Sequence, residues 1–207
     1  MVEPAQDHVA GGMNTWRAGC GGSRTSGSEG GPRKPTSRNA DRAPGSDPYT
    51  EHRTTEEKLY LCAVKDVCSN RIVGYSIDTR MTSRLAVTAL TNALARRGEV
   101  TGCVVHTDRG SQCRSWKFVR TLARHGLSGS MGRVGAAGDN AAMESFFALL
   151  QNNVLDRRSW PTRDELRIAI VTWIDRTYHR RRRQAGLGRL TSIEYEAIMT
   201  TPASQAA

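Results

Sequence analysis

No leucine, isoleucine or phenylalanine occurs in the first 46 residues of this chain. A segment so poor in large apolar side chains has little surface to withdraw from water. Burial of such surface is the main term that offsets the entropy of ordering a chain. Nine of the 20 glycines and four of the seven prolines (Pro4, Pro32, Pro35, Pro44) fall in the same stretch. The expectation is a disordered or aberrant segment over residues 1–49 and one folded domain over 50–207. A tail of this composition and a coding region read in the wrong frame, or from a wrong start, look alike at this level. The remaining residues are enough for a single core.

Charge divides at the same seam. Residues 1–57 hold 7 Lys/Arg against 8 Asp/Glu, while residues 58–207 hold 23 against 12. Within the second part, residues 157–189 carry 10 arginines against Asp164, Glu165 and Asp175. A surplus confined to one region points to a polyanionic partner, and nucleic acid is the first to consider. No run of apolar residues approaches the length of a membrane span, and no leader pattern opens the chain. Five cysteines in no framework spacing fit reduced thiols. The expected setting is cytoplasmic and nucleoid-associated, with no membrane contact.

The order of elements follows from periodicity. Leu59–Val64 and Ile72–Ile77, joined by Val67-Cys68-Ser69-Asn70, read as an antiparallel hairpin. Leu85, Val87, Leu90 and Leu94 mark a helix over 82–97 that ends before Gly98. Cys103–His106 is a buried-type strand, Ser115–His125 a helix, and Leu127–Met131 a short strand. Asp139 suits the N-cap of a helix running to about Val154, with Met143, Phe146, Phe147 and Leu150 as its apolar stripe. Thr162/Glu165 and Thr191/Glu194 form capping boxes for two further helices. Trp116, Trp160 and Trp173 read as core or interface residues. The result is an α/β layer fold with a helical C-terminal tail.

Two carboxylates stand out by position. Asp108 directly follows the strand ending at His106, where α/β sheets place their sites. Glu144 lies in the first turns of a helix, with 35 residues between the two. Converging carboxylates suit hard divalent cations, Mg²⁺ or Mn²⁺, and a pair of ions can clamp the attacking and leaving oxygens of a phosphodiester.

Four stretches then carry a resemblance. They are Ile72-Val73-Gly74-Tyr75, His106-Thr107-Asp108-Arg109-Gly110-Ser111-Gln112, Asp139-Asn140-Ala141-Ala142-Met143-Glu144-Ser145-Phe146-Phe147, and Tyr178-His179-Arg180-Arg181-Arg182-Arg183-Gln184-Ala185-Gly186-Leu187-Gly188. In combination they resemble the integrase-core transposases of bacterial insertion sequences, of the type made from a second reading frame. The resemblance covers about three quarters of the chain. It implies a ribonuclease-H-like mixed sheet flanked by helices and an Asp-Asp-Glu metal site, with Asp108 as the second Asp and Glu144 as the Glu. It also implies nicking of element ends and strand transfer to target DNA, the product of a companion reading frame as a possible partner, and assembly as a homo-oligomer on DNA.

The chain departs from that pattern at the first Asp. Thr50-Glu51-His52 fits the continuation of the first strand, and counting back two from Thr50 reaches Pro48. Asp47, the candidate first ligand, is one residue away. Pro44 and Pro48 disfavour an interior strand, so the first strand is expected to be absent or altered. Gln151 stands where the family often has a basic residue, seven positions after Glu144. Candidate DNA contacts are Arg109, Lys117, Arg133, Asn140, Gln151, Arg157, Arg158 and Arg180, Arg181, Arg182 and Arg183. A catalytically inactive, DNA-binding remnant is the alternative to an active transposase core.

Overall fold

The computed structural model describes residues 15–19, 50–108, 110–131 and 141–200. A mixed sheet is built from β1 (Thr15–Gly19), β2 (Thr50–Arg53), β3 (Lys58–Asp66), β4 (Ile72–Asp78), β5 (Val104–Thr107) and β6 (Ser128–Met131). Helices α1 (Ser83–Arg97), α2 (Trp116–Arg124), α3 (Ala141–Asn153), α4 (Arg163–Thr172) and α5 (Ser192–Thr200) complete the fold, and α4 continues into a wider helical turn over Trp173–Tyr178.

Strand β3 organises the sheet. Its alternation sends Cys62 and Val64 to one face and Leu59, Leu61 and Ala63 to the other. The first face is covered by α1 through Leu85, Ala89, Leu90 and Ala93, with Phe118 of α2 beside them. The second is covered by Met143, Phe146 and Leu150 of α3 and by Leu166, Ile174 and Tyr178. Both faces of the central strands are therefore buried, which is why their sequences read as continuous apolar runs rather than alternating ones. Gly74 lets α1 approach β4: a Cβ there would lie 2.2 Å from the Ala89 carbonyl oxygen and 2.5 Å from the Ala93 nitrogen.

The expected hairpin is present, with Leu61 opposite Ile77 and Val64 opposite Gly74. The expected capping boxes also form. Thr162 Oγ1 accepts from Glu165 N–H at 3.2 Å. Around Thr191 the box is reciprocal, with Thr191 N–H donating to Glu194 Oε2 at 2.8 Å and Glu194 N–H to Thr191 Oγ1 at 3.2 Å. Trp160 and Trp173 are buried, whereas Trp116 is 67% exposed and Arg120 lies over its ring.

The structure adds one element within the N-terminal segment. Residues 1–49 are expected to be disordered or aberrant, with the first strand absent or altered; Thr15–Gly19 forms β1, between β3 and β5. It pairs antiparallel with β3, Trp16 opposite Asp66 and Gly19 opposite Ala63. It pairs parallel with β5, Thr15 beside Val104 and Ala18 beside Thr107. Five residues with weak propensity form a strand here because both of their edges meet a partner.

Strand β2 lies on the same edge of β3. Thr50 is opposite Leu61 and Arg53 opposite Lys58. The other edge of β3 is taken by β4 from Tyr60 to Lys65. A strand has two edges, so β1 and β2 share one of them end to end and run in the same direction. Only the position opposite Cys62 separates the pairing of Gly19 from that of Thr50.

Candidate active site

Asp108 leaves the sheet at the carboxyl end of β5, where the strand's hydrogen bonding stops. Its Oδ1 accepts the Gly110 N–H at 3.2 Å, a local turn that fixes the carboxylate at the strand end. Gln112 and Cys113 of the following turn are buried. Ser115 then caps α2, its Oγ accepting from Phe118 N–H at 3.3 Å.

Glu144 lies in the first turn of α3. The stripe Met143, Phe146, Phe147 and Leu150 pins this helix to the sheet, and α3 packs on β1. Glu144 Oε1 is buried with no hydrogen-bond partner among the described residues. A buried carboxylate oxygen without a donor is costly, and a cation is the partner that suits it.

A buried lysine joins the site that sequence reasoning missed. Lys65 of β3 is 4% exposed, and its Nζ donates to the Ala142 carbonyl oxygen at 3.0 Å. Burial, reinforced by the charge of Arg182, pulls its ammonium down to about 8. The register sets Arg17 between Lys65 on one side and His106 on the other. His106 Nδ1 lies 3.2 Å from Ser130 Oγ on β6. The signal in the sequence was a lysine closing the apolar run Cys62-Ala63-Val64-Lys65.

The candidate DNA contacts fall into groups. Lys117 is exposed in the first turn of α2. Arg157 and Arg158 are exposed after α3, with Arg158 4.3 Å over the Trp160 ring. Gln151 donates to Asp156 Oδ1 at 2.5 Å, so its amide is engaged within the chain. Arg180, Arg181 and Arg183 are exposed, and Arg182 is half-buried against the Tyr178 ring. Tyr178 in turn stacks edge-on with Phe146 of α3 at 5.1 Å, which ties the arginine stretch to the helix carrying Glu144. Asp47, Arg109, Arg133 and Asn140 lie outside the described residues, as does the expected cap Asp139.

Comparison with known proteins bears directly on this arrangement. A family model described as integrase core domain matches residues 46–137, and a second of the same description matches residues 125–191. Transposase InsF for insertion sequence IS3A of Escherichia coli (strain K12) is 39% identical over 144 residues, covering 70% of this chain and 50% of that protein. The chain belongs to the integrase-core transposases of bacterial insertion sequences. The transposase for insertion sequence element IS904 of Lactococcus lactis subsp. lactis (strain IL1403) is 35% identical over 143 residues, covering 69% and 56%. The chain thus spans about half the length of the curated relatives it matches.

Among solved structures, a chain of the simian T-cell lymphotropic virus intasome in complex with PP2A regulatory subunit B56 gamma superposes with a TM-score of 0.62. Its identity is 14%, over 92% of this chain and 55% of that one. The HTLV-2 integrase catalytic core domain in complex with magnesium gives 0.54 at 14% identity, over 88% and 95%. At that identity the likeness concerns fold, and the fold is ribonuclease-H-like as expected. No helix among the described residues is long and apolar enough to cross a membrane.

The fit to a divalent cation is right in kind and short in number. Asp108 and the orphaned Glu144 oxygen are the oxygen donors that Mg²⁺ or Mn²⁺ prefers. No group of three or more His, Cys, Asp or Glu side chains that could hold a metal occurs among the described residues.

Proposed function

We propose that this chain is the catalytic core of an insertion-sequence transposase, acting on phosphodiester bonds of element ends and target DNA. The observation that carries the reading is the placement of the two carboxylates. Asp108 follows the last residue of β5, Glu144 lies in the first turn of the helix packed on the adjacent β1, and Glu144 presents a buried oxygen with no hydrogen-bond partner among the described residues. Family membership and the ribonuclease-H-like fold support it.

In hydrolysis, a water oxygen attacks the phosphorus and the 3′ oxygen departs. In strand transfer, the freed 3′-hydroxyl attacks a target phosphodiester and a target 3′ oxygen departs. Asp108 and Glu144 would hold Mg²⁺ or Mn²⁺, expected as a pair of ions, which would stabilise the charge developing on the attacking and leaving oxygens. The exposed arginines Arg157, Arg158, Arg180, Arg181 and Arg183, with the half-buried Arg182, would meet the phosphate backbone. Arg109, Arg133 and Asn140 belong to the same reading by their place in the sequence. Assembly of copies on DNA, a companion reading-frame product and a nucleoid location complete it. Residues 50–207, together with Thr15–Gly19, form the catalytic unit.

A second reading, DNA binding without efficient cleavage, rests on the absence, among the described residues, of a group of three metal-binding side chains. One experiment separates them. A labelled element-end duplex is incubated with the protein and Mg²⁺ or Mn²⁺. Nicking that is lost in both Asp108→Asn and Glu144→Gln, with duplex affinity retained, supports the catalytic reading. Duplex binding without any nicking supports the second. Nicking that persists in both variants overturns the assignment of the site.

A further inference from the structure

We propose that Thr15–Gly19 stands in for the catalytic half of the central strand, and that Gly19 occupies the place of a third metal-binding carboxylate. The inference rests on the reading of Asp108 and Glu144 as site residues.

The register carries the argument. Extended backwards from Thr50 opposite Leu61, the line of β2 reaches the position opposite Cys62 and then the one opposite Ala63. Two residues before Thr50 is where the family pattern expects its first Asp, and the position opposite Ala63 is held by Gly19. On its other side β1 pairs with β5 so that Ala18 is beside Thr107. One residue further along both strands, Gly19 comes beside Asp108.

The face is also the right one. Ala63 belongs to the buried cluster containing Met143, Phe146 and Phe147 of α3. Lys65, two residues on, reaches Ala142 of the same helix. Paired residues share a face of the sheet, so a side chain at position 19 would project toward the helix that carries Glu144. Adjacent strands lie about 4.8 Å apart, which lets carboxylates at neighbouring positions share one cation. Glycine supplies none. The family match begins only at residue 46, so the segment that fills the slot comes from outside it. The fold is completed while, among the described residues, the donor set is left one carboxylate short.

The test is a calorimetric titration of Mn²⁺ alone into the full chain. Gly19→Asp is expected to bind Mn²⁺ at least about tenfold more tightly than the unaltered chain or Gly19→Ala. The gain should vanish on adding Asp108→Asn or Glu144→Gln, and Asp47→Ala should leave binding by the unaltered chain unchanged. A Gly19→Asp chain that folds, by its far-ultraviolet circular dichroism, without tighter binding would overturn the proposal. So would a loss of binding in Asp47→Ala. A gain that survives both Asp108→Asn and Glu144→Gln overturns the reading of the site itself. The register is tested separately by the pair Ala18→Cys and Val64→Cys, which face each other across β1 and β3. A disulfide between them, mapped by mass spectrometry, supports the placement of β1. Its absence under oxidising conditions that cross-link a control pair across β3 and β4, Cys62 with Ser76→Cys, overturns it.

Discussion

The imidazole Nε2 of His179 accepts the backbone N–H of Ile72 at 3.1 Å, joining the arginine-rich C-terminal stretch to the first residue of β4. The ring is 3% exposed and must be neutral at that nitrogen to accept. Burial, with the nearby charges of Arg71 and Arg96, holds its pKa down to about 3.

Acid should therefore weaken the fold. The unfolded chain takes up a proton on His179 near its ordinary value of 6.5, while the folded chain does not until about 3. The contribution is complete above pH 6.5 and declines as pH falls toward 3, by up to about 1.4 kcal/mol per pH unit. Chemical denaturation of the unaltered chain at pH 7 and pH 5 should show this loss. His179→Gln should be less stable at pH 7 and should show a flatter dependence. Equal slopes for both would remove His179 as the cause.

Gly74→Ala should destabilise by about 1–3 kcal/mol, because the added methyl meets the backbone of α1 at Ala89 and Ala93 rather than a movable side chain. Thermal unfolding measures this. Far-ultraviolet circular dichroism should remain close to that of the unaltered chain.

Glu196 of α5 bonds Arg71, Arg97 and Ser69, and Arg97 also reaches Asp66 at 2.8 Å. This knot closes α5 over the β3–β4 turn and the end of α1. Glu196→Ala leaves two half-buried guanidinium groups short of a partner and should cost about 2–3 kcal/mol. Glu194→Ala removes the carboxylate half of the α5 capping box and an exposed contact to Arg183, and should cost clearly less. The order of the two effects in urea midpoints is the check.

Lys65→Met should raise stability at pH 7 by about 1 kcal/mol. It removes an ammonium whose burial is unfavourable, in exchange for one hydrogen bond to Ala142. The stabilisation should shrink as pH rises past about 8, where the folded lysine is already neutral. A variant less stable than the parent at pH 7 would show that the Ala142 bond outweighs desolvation.

Duplex affinity should fall steeply with salt. Replacing Arg157 and Arg181 together by Ala should reduce the slope of log affinity against log salt by about 2, if each meets one phosphate. Gln151→Ala should leave the slope unchanged, since that side chain carries no charge and is engaged with Asp156.

Much of the fold was legible in the sequence because β3, β4, α1 and α3 carry strong periodicity and each buries its apolar stripe on the sheet. The capping boxes at Thr162 and Thr191 were legible for a local reason: the spacing of donor and acceptor is itself the structure. Asp108 and Glu144 could be singled out by their places at a strand end and a helix start. Lys65 was not, because its role depends on α3 lying over it, 77 residues away in sequence. Thr15–Gly19 was not, because nothing local makes those five residues a strand. Two edges supplied by β3 and β5 do so.

The gap between β3 and β5 thus behaves as a template that reads backbone and ignores side chains. Any short extended segment that offers amides and carbonyls on both sides can be admitted, whatever its place in the chain. Architecture and chemistry are selected by different atoms in this strand, and so a sheet can keep its order after the residue that justified it has changed.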